Sequence, residues 1–170
     1  IVNAFAGNLE QAFYEGVKLV DKMYKVPIER MADIVLVSPG GHPLDLNLYQ
    51  AYKGVDNALD AVKRGGVIVL LAECPEGHGH DVFYEWMANM SDVKEMEKKI
   101  KRRFRLGGHK AYYLMKAVQK AQIILASTMP DYLAQNTFKL KTARAINDAL
   151  RDAFDIAGKN AKVWAMSHGN

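Results

Sequence analysis

Four continuous apolar runs of strand length punctuate the chain: ADIVLVS (Ala32–Ser38), GVIVLLAE (Gly66–Glu73), QIILAST (Gln122–Thr128) and AKVWAMS (Ala161–Ser167). Unbroken runs suit parallel strands covered on both faces. Between them the apolar spacing is helical. From Leu9 to about Tyr24 the apolar positions are Ala12, Phe13, Val17, Val20 and Tyr24, with Asn8 placed to cap the start. The segment before it, IVNAFAG, is short and β-prone. A second helix is expected from Leu46 to about Lys63, capped by Asp45 and ended by Gly65-Gly66. It buries Leu48, Tyr52, Val55, Leu59 and Val62 and turns Asn47, Gln50, Lys53, Asn57 and Asp60 the other way. Further helices are expected over Asp81 to Met90, Ser91 (its cap) to about Arg103, Lys110 to Ala121 and Lys141 to about Ala157. Trp86 and Trp164 read as core. Strands alternating with helices predict an α/β fold. The expected form is a three-layer Rossmann-like or flavodoxin-like domain, with a mostly parallel sheet of about four strands and helices on both faces.

Composition narrows the class. The 170 residues suit a single domain, 1–170. The chain opens at Ile1 in mid-pattern, so a piece of a longer protein is expected, with residues 1–7 as the tail of an upstream part. No apolar run approaches the roughly 20 residues of a membrane helix. One cysteine, Cys74, rules out an internal disulfide framework and a Cys-based zinc site, and suits a cytoplasmic location. Charge is uneven: residues 1–90 hold 7 Lys/Arg against 12 Asp/Glu, and residues 91–170 hold 16 against 7. Much of the excess is KEMEKKIKRRFR (Lys94–Arg105). Met96, Ile100 and Phe104 recur there at spacing four, which reads as a solvated helix packed by its apolar stripe. No aromatics interleave the basic residues as a stacking platform would need, so nucleic acid is not the expected partner.

Candidate chemistry gathers at the carboxyl ends of the strands, where open parallel sheets bind ligands. Those ends read SPGGHP, AECPEGHGH, ASTMP and MSHGN, and four of the five histidines (His42, His78, His80 and His168) fall there. His109 opens a helix after two glycines. Gly40 and Gly41 let a ligand approach the main chain. Gln50 and Lys53 share one helix surface, and Tyr49 neighbours Lys53 at spacing four. An ammonium, an amide and a phenol suit a carboxylate with an adjacent hydroxyl. The sequence lacks G-x-G-x-x-G after a strand, G-x-x-x-x-G-K-[ST], G-x-S-x-G and H-E-x-x-H. His78 and His80 read as loop-shaping rather than metal-binding. Glu73 and Glu76 are acid/base candidates at the site edge, and no basic neighbour marks Cys74 as a nucleophile.

The stretch ADIVLVSPGGHPLDLNLYQAYKGVDNALDAVKRGGVIVLLAECPEGHG resembles the C-terminal domain of the nickel-pincer-nucleotide-dependent lactate racemase family. The features are a strand, a Gly-Gly turn, an aspartate, Asn-Leu-Tyr-Gln with a lysine three residues on, then Ala-Glu-Cys and Glu-Gly-x-Gly. It continues more weakly through GGHKA (Gly107–Ala111) and the last strand. The resemblance implies racemisation or epimerisation of a 2-hydroxy acid. Nickel held by a pyridinium-derived pincer nucleotide accepts and returns the substrate hydride, and a histidine pair moves the hydroxyl proton. It further implies that Tyr49, Gln50 and Lys53 orient the substrate, and that Gly40, Gly41, His42, Asp45, Glu73 and His109 shape the site. His42 stands where the family commonly has an aromatic residue. The catalytic histidines, the tethering lysine and the nickel ligand belong to the family's N-terminal domain, which nothing here matches. No catalytic or metal residue is therefore expected in this chain. Its expected partners are that N-terminal domain, a small 2-hydroxy acid and a second copy of itself, and alone it should be inactive. The other reading is a Rossmann-like domain that binds a nucleotide or phosphorylated small molecule at the Gly40-Gly41 turn, through the adjacent helix N-terminus.

Overall fold

The computed structural model describes residues 1–169. Five strands form one parallel sheet: β1 (Ala32–Val37), β2 (Val62–Leu71), β3 (Gln122–Ala126), β4 (Lys141–Ala143) and β5 (Val163–Met166), in the order β4-β3-β2-β1-β5. The helices are α1 (Leu9–Tyr24), α2 (Leu48–Leu59), α3 (Asp81–Asn89), α4 (Val93–Arg102), α5 (Gly108–Lys120) and α6 (Ile146–Ala157). A short π-helical turn spans Leu133–Thr137.

Strand side chains alternate between two cores. Val35, Val37, Ile68, Leu70, Ile123 and Leu125 meet α2 and α5 on one face. Ile34, Val67, Val69 and Ile124 meet Ala149 and Ala153 of α6 on the other. Both faces are covered, which is why these strands read as unbroken apolar runs. Helices α3 and α4 pack outward on α5, so Phe83, Trp86 and Met96 extend the first core.

Several elements differ from the sequence reading. The sheet expected to have about four strands gains one at its edge: Lys141–Ala143 pairs along β3, and the last helix begins only at Ile146. Gly65-Gly66 does not end a helix but lies inside β2, where the pairing with β1 shifts register. A Cβ on Gly66 would sit 2.6 Å from the Asp33 carbonyl oxygen, so close backbone approach requires glycine there. Asp92, not Ser91, caps α4, its carboxylate accepting from the Lys94 amide at 2.8 Å. Met96 and Ile100 pack as expected, but Phe104 lies beyond the helix, 61% exposed. Trp86 is core. Trp164 is not: it is 39% exposed on edge strand β5, with its indole N–H donating to the Arg30 carbonyl. Residues 1–7 form no strand.

Helix α1 starts at Leu9 with Asn8 as its cap, as the sequence predicts, the Asn8 side chain accepting from the Glu10 and Gln11 amides. None of its residues is buried. Phe13, Val17, Val20 and Tyr24 stand open to solvent beside an apolar hollow of about 570 Å³. No helix is long and apolar enough to cross a membrane among the described residues.

Candidate functional site

Beyond the carboxyl ends of β1 and β2, two loops are zipped together by main-chain hydrogen bonds. The Cys74 amide donates to the Asp45 carbonyl at 2.9 Å, and the Glu76 amide to the Leu46 carbonyl at 3.0 Å. The Leu48 amide donates to Gly77 at 2.9 Å and the Tyr49 amide to His78 at 3.2 Å. This pairing draws Asp45 and Leu46 out of the helix, so α2 begins two residues later than its apolar spacing predicts. Asn47, not Asp45, is its cap: the Asn47 side-chain oxygen accepts from the Gln50 amide at 3.1 Å, and its amide nitrogen donates to Glu76 at 3.3 Å. Asp45 instead bridges loops, its carboxylate accepting from the Glu73 amide at 3.3 Å. The Glu73 carbonyl then takes Ser127 Oγ at 2.7 Å and Thr128 Oγ1 at 2.9 Å, tying in the end of β3. The Glu73 carboxylate itself lies in an exposed residue.

The zipper has a chemical consequence. The amides of Leu48, Tyr49 and Gln50, which a phosphate would need, all have partners within the protein. The nucleotide-binding reading therefore loses the donors it relied on. Gly40 and Gly41 adopt φ of +113° and +78°, and a Cβ on Gly40 would lie 3.1 Å from Leu44 and 3.7 Å from the His168 ring. His42 is exposed at this turn. Asn170, which closes the MSHGN ending, lies outside the described residues.

On α2 the three predicted binding residues differ in setting. The Tyr49 ring is half-buried, stacked on His80 at 4.9 Å between centroids and edge-on to Phe83 at 5.9 Å. Gln50 is half-buried and Lys53 exposed, and neither side chain has a hydrogen-bond partner among the described residues. These are free donors at the mouth of the sheet. Sequence reasoning passed over a fourth group. Lys110, at the start of α5, holds its ammonium 4.0 Å from the centre of the Tyr49 ring and donates to the Tyr49 carbonyl. Burial first, then the nearby Lys53 charge, hold Lys110 down at about 8, against a smaller upward pull from Asp56. No local spacing signals this contact, since Tyr49 and Lys110 are far apart in sequence. The sole local hint is the Gly107-Gly108 pair ahead of it. A Cβ on Gly107 would lie 2.6 Å from His80 Nδ1, and one on Gly108 2.8 Å from the Trp86 ring, so the glycines let α5 seat closely there.

His109 stacks on Phe104 at 5.4 Å between ring centroids. Burial, then Lys110 and His80, hold it below the usual histidine range. No group of three His, Cys, Asp or Glu side chains among the described residues is arranged to hold a metal ion. Burial pushes the Cys74 thiol up to about 12 at 1% exposure, so it is a core residue rather than a nucleophile.

A sequence profile described as the lactate racemase C-terminal domain matches residues 28–170. The chain belongs to this family. A lactate racemase from Thermoanaerobacterium thermosaccharolyticum is 34% identical over 99% of the chain, and one from Lactiplantibacillus plantarum 30% identical over 99%. The structure of the Thermoanaerobacterium lactate racemase apoprotein superposes with a TM-score of 0.86 at 33% identity, over 99% of the chain. A Thermotoga maritima protein at 15% identity shares the fold, with a TM-score of 0.62. The chain spans 40% and 41% of the lengths of the two lactate racemases. The lactate racemase C-terminal profile begins at residue 28, so α1 precedes the domain it describes.

Proposed function

We propose that this chain is the substrate-side domain of a lactate-racemase-like isomerase that inverts a small 2-hydroxy acid. The observation that carries the reading is the first two turns of α2, where an amide and an ammonium without partners among the described residues accompany a half-buried tyrosine in a domain of this family. Lys53 binds the substrate carboxylate or hydroxyl oxygen as a charged donor. Gln50 and Tyr49 fix its orientation. Gly40, Gly41 and His42 border the cleft, Asp45 and Glu73 hold its two loops in register, and His109 lies at its far side.

Among the described residues no metal-ligand set is arranged for the nickel-pincer nucleotide of a full-length enzyme. The donors around Tyr49 are cationic or amide groups suited to an anion, and Cys74 is sealed in the core. On the family resemblance, the cofactor and the proton-moving groups belong to a separate N-terminal domain, and this chain alone is inactive. Residues 1–7 and α1, which bury nothing here, supply the join to that domain. The single buried thiol suits the cytoplasm.

Lys53→Ala in the full-length enzyme is the test. Hydrogen bonds to charged groups contribute about 1.5–3 kcal/mol. Racemisation assays should show kcat/KM falling about tenfold to hundredfold with an unchanged melting temperature, since Lys53 is exposed. Unaltered kcat/KM would remove Lys53 from the site.

A further inference from the structure

Lys110 is half-buried, and its ammonium has no carboxylate within ion-pairing distance among the described residues. A lysine left this way costs desolvation without the return of an ion pair. Its contacts all lead to one residue: the Tyr49 ring face at 4.0 Å and the Tyr49 carbonyl. The same ring stacks on His80 at 4.9 Å between centroids and stands edge-on to Phe83, so Tyr49 is contacted by a cation and two further rings.

Lys120, at the other end of α5, gives a comparison within the same helix. Its ammonium donates to the Leu59 carbonyl at the last turn of α2. It straps helix to helix at the place where a helix wants a cation. Lys110 binds near the opposite end of α2, where the helix dipole is unfavourable to a cation. Stability alone does not account for a charge there.

We propose that Lys110 is a positioning residue of the substrate cleft: it clamps the Tyr49 ring and carbonyl, and adds a second positive charge beside Lys53 for an anionic 2-hydroxy acid. This rests on the assignment of Tyr49 and Lys53 to the substrate. The groups facing the Lys110 ammonium are Lys53, Asp56 and Tyr49 of α2 and His109 on its own helix, and His109 in turn faces His80 ahead of α3. Glu85 of α3 is engaged by Arg105. Glu97 and Lys101 of α4 pair with each other at 2.7 Å and face Lys116 and Tyr112. His109, held low, is neutral above pH 7. Lys110 itself, depressed to about 8, changes charge between pH 7 and 9. Its deprotonation removes the cation from the ring, so substrate affinity falls as pH rises through that window.

The experiment is steady-state kinetics with lactate on the full-length enzyme from pH 6.5 to 9.5, for wild type, Lys110→Met, Lys110→Arg, Lys120→Met and Lys53→Ala, with melting temperatures. Wild type should show KM rising about three- to tenfold across pH 7–9, the scale of one partly desolvated cation–π contact. Lys110→Met should carry that raised KM at every pH, with kcat changed less than KM and no lower melting temperature at pH 7. Lys110→Arg, which keeps the cation without titrating, should hold the low KM and abolish the pH step. Lys120→Met should lower the melting temperature and leave KM alone. If Lys110→Met keeps the wild-type KM while Lys53→Ala loses activity, the clamp is wrong and the site assignment stands. If Lys53→Ala is also unimpaired, both fall. Should Lys110→Met fail to fold, persistence of the pH step in Lys110→Arg overturns the proposal.

Discussion

Asn47 is 7% exposed and ties the two loops together by capping α2 and bonding Glu76. Gly79 passes against it with φ of +80°, and a Cβ there would fall 2.1 Å from the Asn47 side-chain carbon. Gly79→Ala therefore combines left-handed strain of roughly 1–2 kcal/mol with overpacking of about 1–3 kcal/mol. Urea denaturation of the chain should show a loss of about 2–5 kcal/mol. At this scale the sequence was partly readable. The polar face of α2 follows from helical spacing alone, and it named Gln50 and Lys53. Asn47 was placed on that solvent face, yet it is buried, because the loop after β2 folds over it. Asp45 is an equally good cap by residue type, and only the loop pairing gives that place to Asn47. Lys110 was passed over because its partner comes from another helix.

Among the elements, the most basic one tests a sequence expectation. Helix α4 rests on α5 through buried Met96, while Lys98 and Arg102 are exposed. Met96→Ala should cost about 2–5 kcal/mol as a buried large-to-small change. Lys98→Glu should stay within about 0.5 kcal/mol, and the two denaturation midpoints side by side check it. A large loss from Lys98→Glu would mean the charge run has a structural partner. Element type was readable wherever burial imposes a period: β1, β2 and β3 as two-sided runs, α2 as a stripe at spacing three and four. It failed where pairing overrides local preference. Lys141–Ala143 is too short to show a strand pattern and flows into a helical one. Gly65-Gly66 punctuates like a helix end, although its function is to let β2 pass close to Asp33.

For the whole molecule, the apolar surface is uneven. The central strands are sealed, but α1 is not: Phe13 is 64% exposed, and Val20 and Tyr24 are open beside it. At β5, Val163 and Trp164 are open as well. Exposed apolar surface of this kind drives association. The isolated chain should self-associate in sedimentation velocity, and the double substitution Phe13→Glu, Val20→Glu should return it to monomer. Its melting temperature should not move, because α1 contributes no buried residue to the core. A monomeric unsubstituted chain would contradict this. The α/β architecture was legible at this scale, because alternating strand and helix patterns admit few topologies. Strand order was not, since register and neighbours depend on contacts between distant segments.

The backbone amides that open α2 are all occupied by the protein itself. Under the proposed function, discrimination among hydroxy acids is thereby left to side chains rather than to main-chain donors. Relatives could diverge in diet through a few codon changes at positions 42, 49, 50, 53 and 110, while the scaffold that presents them stays as it is.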